Sequence, residues 1–114
     1  MRLRIASLAA LISGAALAQQ PGPAPAFAAP NLTPQGVASM AGGCAMCHGT
    51  RGFPAAGSSV AGLAGRPIDS IVDAMKGFKE GRREATVMHQ IAKGFSDAEI
   101  AALAAYFAAQ KEAP

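Results

Sequence analysis

Apolar side chains recur at intervals of three and four residues in three parts of the chain, as in helices with one buried face. The first predicted helix starts at Pro34, after Thr33 as N-cap, and continues through Val37 and Met40 to His48. No stretch shows the alternation of apolar and polar residues that indicates a β-strand. The pattern therefore predicts an all-α fold.

The second predicted helix opens with Pro67 and is ended by Gly81. Its apolar face contains Ile68, Ile71, Val72, Met75 and Phe78. Residues 49–65, which separate it from the first helix, are rich in Gly, Ser and Ala and predict a loop. A further short turn or helix is expected between Thr86 and Lys93.

The third predicted helix begins at a capping box, Ser96-Asp97-Ala98-Glu99, in which Glu99 takes the third helical position. We expect it to run from Asp97 to about Lys111, with Lys111 in its last turn. Its buried side is expected to contain Ile100, Leu103, Tyr106 and Phe107. Since glycines allow close helix approach, we expect the first and last helices to cross at Gly36, Gly42 and Gly43, with Tyr106 or Phe107 against a glycine.

The first residues have the pattern of a secretory signal peptide: a basic head with Arg2 and Arg4, then an uncharged apolar run to Leu17. Cleavage is expected after Ala18 or, as a second possibility, after Ala28; an uncleaved anchor is the alternative. The chain then divides into a signal peptide (1–18), a Pro- and Ala-rich flexible leader (19–31) and one domain (32–114). Export predicts a periplasmic location.

Export also changes the charge of the chain. The formal net charge is +3, but loss of Arg2 and Arg4 leaves eight Lys and Arg against seven Asp and Glu, a net charge of +1. This balance does not favour binding to nucleic acid or to a membrane surface. The basic stretch that remains is either a docking site for an acidic partner or a solvated helix end; it contains Lys76, Lys79, Arg82 and Arg83.

The candidate chemistry is concentrated in Cys44-Ala45-Met46-Cys47-His48. Two cysteines three apart on a helical turn can each form a thioether bond with a vinyl group on the same haem edge, and the adjacent histidine can ligate the iron. A dithiol redox pair is the alternative, but it is typical of a βαβ context. We therefore predict one covalent haem c, attached through Cys44 and Cys47, with His48 as its proximal ligand.

An electron-transfer haem of the commonest kind takes a second axial ligand from the protein. The candidates are Met40, Met46, Met75, Met88 and His89. Met46 lies inside the attachment motif and Met40 on the same helix as the proximal histidine. Met75 belongs to an apolar stripe, where methionine more often fills a core, and a lone histidine is more often a surface residue. Met88 lies between two helices, in a segment that can fold over the open haem face, and is the strongest candidate.

The motifs CAMCHGT, GLAGRP, MKGFKEG and ATVMHQIAKGFSDAEIAALAAYFAAQ together carry a family resemblance over residues 42–110. They resemble class I c-type cytochromes of the c4/c5 branch and, more narrowly, the cytochrome subunits of flavocytochrome c sulfide dehydrogenases. The resemblance implies a small helical bundle around one covalent haem, with Met88 as the distal ligand. Many relatives have a proline near position 61 whose carbonyl orients the proximal histidine; here that carbonyl belongs to Ala61 or, alternatively, to Pro54.

By the same resemblance, the protein is an electron-transfer cytochrome whose partner is an FAD-containing flavoprotein that oxidises sulfide. The alternative is a free-standing carrier that donates electrons to a terminal oxidase or reductase. A haem enzyme or gas sensor is a third possibility, and it would lack methionine ligation. The expected docking face is the haem edge near the attachment cysteines, where small residues allow a partner to approach: Gly43, Ala45, Ala55 and Ala56.

Overall fold

The computed structural model describes residues 32–111, and every regular element in this range is helical. The α-helices are α1 (Pro34–His48), α2 (Ile68–Lys79), α3 (Met88–Ile91) and α4 (Asp97–Ala108), and short 3₁₀ turns span Thr50–Gly52 and Ala92–Gly94. The all-α prediction is confirmed. The predicted signal peptide (1–18) and leader (19–31) lie outside the described residues.

Side chains before α1 and α4 determine where these helices begin. Thr33 Oγ1 accepts a hydrogen bond from the N–H of Gly36 at 3.1 Å, and Pro34 occupies the first helical position. At α4, the Ser96 hydroxyl accepts from the Glu99 N–H at 3.2 Å, while Glu99 Oε2 accepts from the Ser96 N–H at 2.7 Å. The capping box is therefore present as predicted, and it satisfies backbone donors that the first turn leaves free.

The C-terminus of α4 differs from the prediction. The helix ends at Ala108, so Lys111 lies beyond its last turn, which contains no basic residue. The Phe107 carbonyl accepts a hydrogen bond from the N–H of Gly65 at 2.9 Å, and the Gln110 side chain donates to the Tyr106 carbonyl at 2.8 Å. These contacts satisfy carbonyls at the helix end, so the last turn needs no nearby cation.

The core forms where α1, α2 and α4 meet. Its buried members are Val37, Ala41, Ile71, Leu103, Ala104 and Phe107. Alanines on α1 and α4 leave little side chain between the two helices, which allows them to pack closely. Tyr106, predicted to be buried, is half-buried and meets the Phe107 ring edge to face, with ring centroids 5.1 Å apart.

The predicted helix crossing is wrong at Gly42 and Gly43. Gly42 and Gly43 are exposed, and a Cβ atom built on either would have no neighbour within 4 Å. An aromatic ring does meet a glycine, but the glycine is Gly52 in the loop after α1: a Cβ there would lie 2.9 Å from Phe107 Cδ1 and 2.7 Å from the Ala64 nitrogen. Ala41 faces the core, and the helical rotation turns the next two residues away from it.

Gly52→Ala is expected to destabilise the fold by about 2–4 kcal/mol, because Gly52 has a φ of +86° and an added methyl group would collide with Phe107 and Ala64. Gly42→Ala is the matched control: it adds the same methyl group at an open helical position and should stabilise by about 0.5–1 kcal/mol. Denaturant unfolding of the holoprotein measures both. Equal effects would show that the close approach at Gly52 has no consequence.

Candidate functional site

A cavity of about 670 Å³ opens between α1, α2, α3 and the loop after α1. This volume is in the range of sites for organic ligands and cofactors. Its walls are mainly apolar and include Leu63, Ile71, Met75, Phe78, Val87, Ile91, Phe95, Leu103 and Phe107. Such walls suit a large, flat, apolar group and would keep water away from it.

Both cysteines lie on the last turn of α1 and line this cavity. They are free thiols; Cys44 is half-buried and Cys47 is exposed. Burial raises the pKa of the Cys44 thiol, whereas the reactive cysteine of a dithiol redox pair has a lowered pKa. A spacing of three residues places the two thiols on the same side of the helix. This arrangement fits two thioether bonds to one edge of a haem better than it fits redox chemistry of the thiols themselves.

His48 ends α1 and also lines the cavity. Its Nδ1 lies 2.6 Å from the Ala61 carbonyl oxygen. Because a carbonyl can only accept, Nδ1 carries a proton, and in the neutral ring Nε2 is then left with a free lone pair. A second-sphere bond of this kind fixes the ring orientation of metal-ligating histidines. Of the two carbonyls considered from the sequence, the one bonded to His48 is therefore that of Ala61 and not that of Pro54.

Hydrogen bonds in the loop explain why Ala61 reaches His48. The Gly52 carbonyl accepts from the N–H groups of Leu63 and Ala64 at 2.9 and 3.1 Å, which folds the loop back beneath the end of α1. The bond to His48 comes from the backbone of Ala61, so it does not depend on the side chain at that position. An alanine can thus take the place of the proline that the family resemblance implies near this position.

Met88, at the first position of α3, lines the same cavity as His48. Met40 and Met75 line it as well, but both also pack against the core cluster. Met46 is 88% exposed and does not line the cavity. His89 lines a separate recess beside residues 81–86, and its buried Nδ1 has no hydrogen-bond partner among the described residues. The structure thus brings Met88 to the cavity from a segment that is separate from α1 and outside the core.

Charged side chains near the cavity fall into two groups, which the sequence does not distinguish. Lys76 and Lys79 form ion pairs with Asp97 at 3.6 and 3.1 Å, and Arg82 forms one with Glu80. These three cations of the basic stretch each contact a carboxylate of the domain itself, although Lys76 and Lys79 share that of Asp97. Their pairing does not support the stretch as a docking site for an acidic partner.

Arg66 and Arg83 line the cavity, and neither has an ion-pair partner within residues 32–111. The Arg83 guanidinium carbon lies 5.0 Å from the centroid of the Phe78 ring, close enough for a cation–π interaction. The sequence did not single out Arg66 and Arg83, because no local feature distinguishes Arg83 from its neighbour Arg82. Two cations without ion-pair partners in a mainly apolar cavity suit a ligand with two carboxylates, such as haem.

Within residues 32–111, no group of three or more His, Cys, Asp or Glu side chains is arranged to hold a metal ion directly. The same part of the chain contains no helix with the length and apolarity needed to cross a membrane.

The sequence model of the cytochrome c family matches residues 35–111. The chain is similar to the cytochrome subunit of sulfide dehydrogenase from Chlorobaculum tepidum, with 41% identity over 56% of this chain and 56% of that protein. It is similar to the thiosulfate dehydrogenase electron acceptor of Thiomonas intermedia, with 35% identity over 62% of this chain and 33% of that protein. It also resembles cytochrome c-554(548) of Halomonas halodenitrificans, with 34% identity over 61% of this chain and 87% of that protein. The chain thus matches only a third to about half of the first two relatives.

Proposed function

Because this chain belongs to the cytochrome c family and so serves in electron transfer, we propose that it is an exported carrier with one covalent haem c. Cys44 and Cys47 attach the haem, His48 is the proximal ligand and Met88 is the distal ligand. The observation that supports this most directly is the bond between His48 Nδ1 and the Ala61 carbonyl, which leaves Nε2 free in a cavity shared with both thiols and Met88.

When bound, the haem supplies a one-electron couple between Fe(II) and Fe(III). The protein sets the conditions for that couple. His48, held by the Ala61 carbonyl, offers Nε2 to the iron in a fixed orientation. Met88 offers a thioether, which favours Fe(II) and raises the reduction potential. The apolar walls would exclude water from the bound haem, and ligation by both His48 and Met88 would suit electron transfer rather than substrate binding.

Arg66 and Arg83 hold the two carboxylates of the haem in this proposal. Their unpaired state and their place in the cavity lining support this role. Guanidinium groups suit carboxylates because they present several donors in a planar fork. Positive charge close to the haem also disfavours Fe(III) relative to Fe(II), so both arginines would raise the reduction potential.

Arg83→Gln is accordingly expected to lower the reduction potential by tens of millivolts, on the order of the Coulomb energy of one partly screened charge. Arg82→Gln is the matched control, because Arg82 is paired with Glu80 and does not line the cavity. The change in reduction potential in Arg82→Gln should be less than a third of that in Arg83→Gln. Potentiometric titration of both variants measures this. Equal shifts would mean that Arg83 acts only through the net charge of the protein.

The proposed partner is an FAD-containing chain that oxidises sulfide, and the proposed compartment is the periplasm. The Chlorobaculum relative, a cytochrome subunit of sulfide dehydrogenase, supports the partner; the export signal read from the sequence supports the compartment. Residues 32–50 contain no Lys, Arg, Asp or Glu, and Met46 between the two cysteines is 88% exposed. Helix α1 therefore contributes no charged side chain to the face around the attachment motif, which suits docking that relies on apolar contacts there.

Purification from the source organism tests this partner. A complex should contain both FAD and haem, and sulfide should reduce the haem in it far faster than in the isolated cytochrome. Met46→Glu, which places a charge on the docking face, should weaken the complex at least tenfold without changing the haem spectrum. Ala101→Glu adds the same charge on the exposed side of α4 and should leave the affinity unchanged.

A free-standing carrier is the second candidate. The observation in its favour is the Halomonas cytochrome, a relative that is matched over 87% of its length and is therefore little longer than this domain. Two results would favour this candidate. The cytochrome would purify without a partner, and unrelated electron donors would reduce its haem as readily as a sulfide-oxidising flavoprotein does.

A further inference from the structure

The segment that carries Met88, residues 80–96, is fastened to α2 at both of its ends. We call it the distal segment. At its start, the Gly77 carbonyl accepts hydrogen bonds from the N–H groups of Arg82 and Arg83 at 2.9 and 3.1 Å. At its far end, the Lys79 ammonium group donates to the Phe95 carbonyl at 2.7 Å. Met88 lies between these two attachments.

At the far end, the hydrogen bond to the backbone of the segment is donated by a single side chain of α2. The Lys79 ammonium group also contacts Asp97 Oδ1, at 3.1 Å, and so joins the end of α2 to the first residue of α4. The neighbouring lysines lower the pKa of the Asp97 carboxyl, with Lys79 contributing most, so the carboxylate is charged around neutral pH. The Lys76 ammonium group reaches the other Asp97 oxygen at 3.6 Å, and it makes no hydrogen bond to the distal segment.

The Lys79 contact with Phe95 differs from an ordinary surface ion pair. The hydrogen bond is part-buried, and its donor is charged, which makes it stronger than a bond between neutral groups. The Phe95 side chain lines the cavity and packs against the core cluster. Release of this backbone would therefore loosen the cavity wall next to the distal segment.

We propose that Lys79 is a positioning residue for the distal ligand: its ammonium group fastens the far end of the distal segment to α2 and so keeps Met88 at the cavity. The inference rests on the proposed ligation of the iron by Met88. Without the Lys79 contact, the distal segment detaches more often, Met88 leaves the iron more often, and an external ligand gains access to the coordination position.

Imidazole binding to the oxidised holoprotein tests this, because imidazole ligates the iron only after methionine has left. Lys79→Met keeps most of the aliphatic chain and removes the ammonium group; it should raise the apparent imidazole affinity about tenfold or more, the equivalent of one lost charged hydrogen bond. Lys79→Arg should restore most of the wild-type affinity. Lys76→Met, the matched control, removes a cation that contacts Asp97 alone and should change the affinity less than twofold.

A separate readout distinguishes positioning from general stability. In Lys79→Met, the methionine–iron absorption band should disappear at a lower temperature than the far-ultraviolet circular dichroism of the helices, with the gap wider than in wild type. An unchanged imidazole affinity in Lys79→Met, or an equal rise in Lys76→Met, would overturn the proposal. Lys79→Gln tests the same bond if Lys79→Met gives too little holoprotein. Met88→Ala distinguishes a failure of the proposed ligation from a failure of the role of Lys79. If Met88 does not ligate the iron, Met88→Ala should leave the imidazole affinity unchanged.

Discussion

Met88→Ala abolishes the weak long-wavelength absorption band of the oxidised protein, if the thioether of Met88 is the distal ligand as proposed. This band arises from sulfur bonded to Fe(III). Loss of the thioether also removes its preference for Fe(II), so the reduction potential should fall by on the order of 0.1 V or more. Visible spectroscopy and potentiometric titration of the purified holoprotein measure both changes.

Two other variants are controls for this experiment. Met75→Ala removes a thioether that lines the cavity but also packs against the core, so it should lower stability and leave the band in place. His89→Ala removes an imidazole that belongs to the recess beside residues 81–86, and the band should again survive. A band that persists in Met88→Ala would show that another side chain ligates the iron.

Replacement of both Cys44 and Cys47 by alanine should abolish covalent attachment of the haem. In the wild type, acid–acetone extraction should leave the haem on the polypeptide, and the band on a denaturing gel should stain for haem. In the double variant, all haem should appear in the extract, because two thioether bonds are lost while His48 and Met88 bind it only by coordination. The single variants, which keep one thioether bond, should still stain. Free haem extracted from wild type would contradict covalent attachment.

Some features of the domain could be predicted from local sequence because they depend on neighbouring residues. Pro34 and Thr33 set the start of α1, and the Ser96–Glu99 capping box sets the start of α4. Helix starts of this kind are formed by side chains within one turn of the backbone groups they satisfy. The pairing of the two cysteines with His48 is likewise local, since all three lie on one helical turn.

Contacts between distant segments were predicted less well. The sequence indicated a glycine beneath an aromatic ring but placed it on α1, whereas Phe107 packs against Gly52. It left open which carbonyl orients His48, and Ala61 lies 13 residues away from it along the chain. It gave Arg82 and Arg83 one common role, whereas one is paired with Glu80 and the other lines the cavity.

The sequence by itself thus determined the helical class, the helix starts and the haem-attachment motif, because each follows from residues within about one helical turn of each other. The tertiary structure decided which backbone oxygen holds His48, which arginines remain unpaired at the cavity, and how Lys79 fastens the segment that carries Met88. These features depend on how the loop after α1 and the distal segment fold back on the helices. The folding of such segments is set by packing and hydrogen bonds between residues far apart in the chain, which local pattern does not encode.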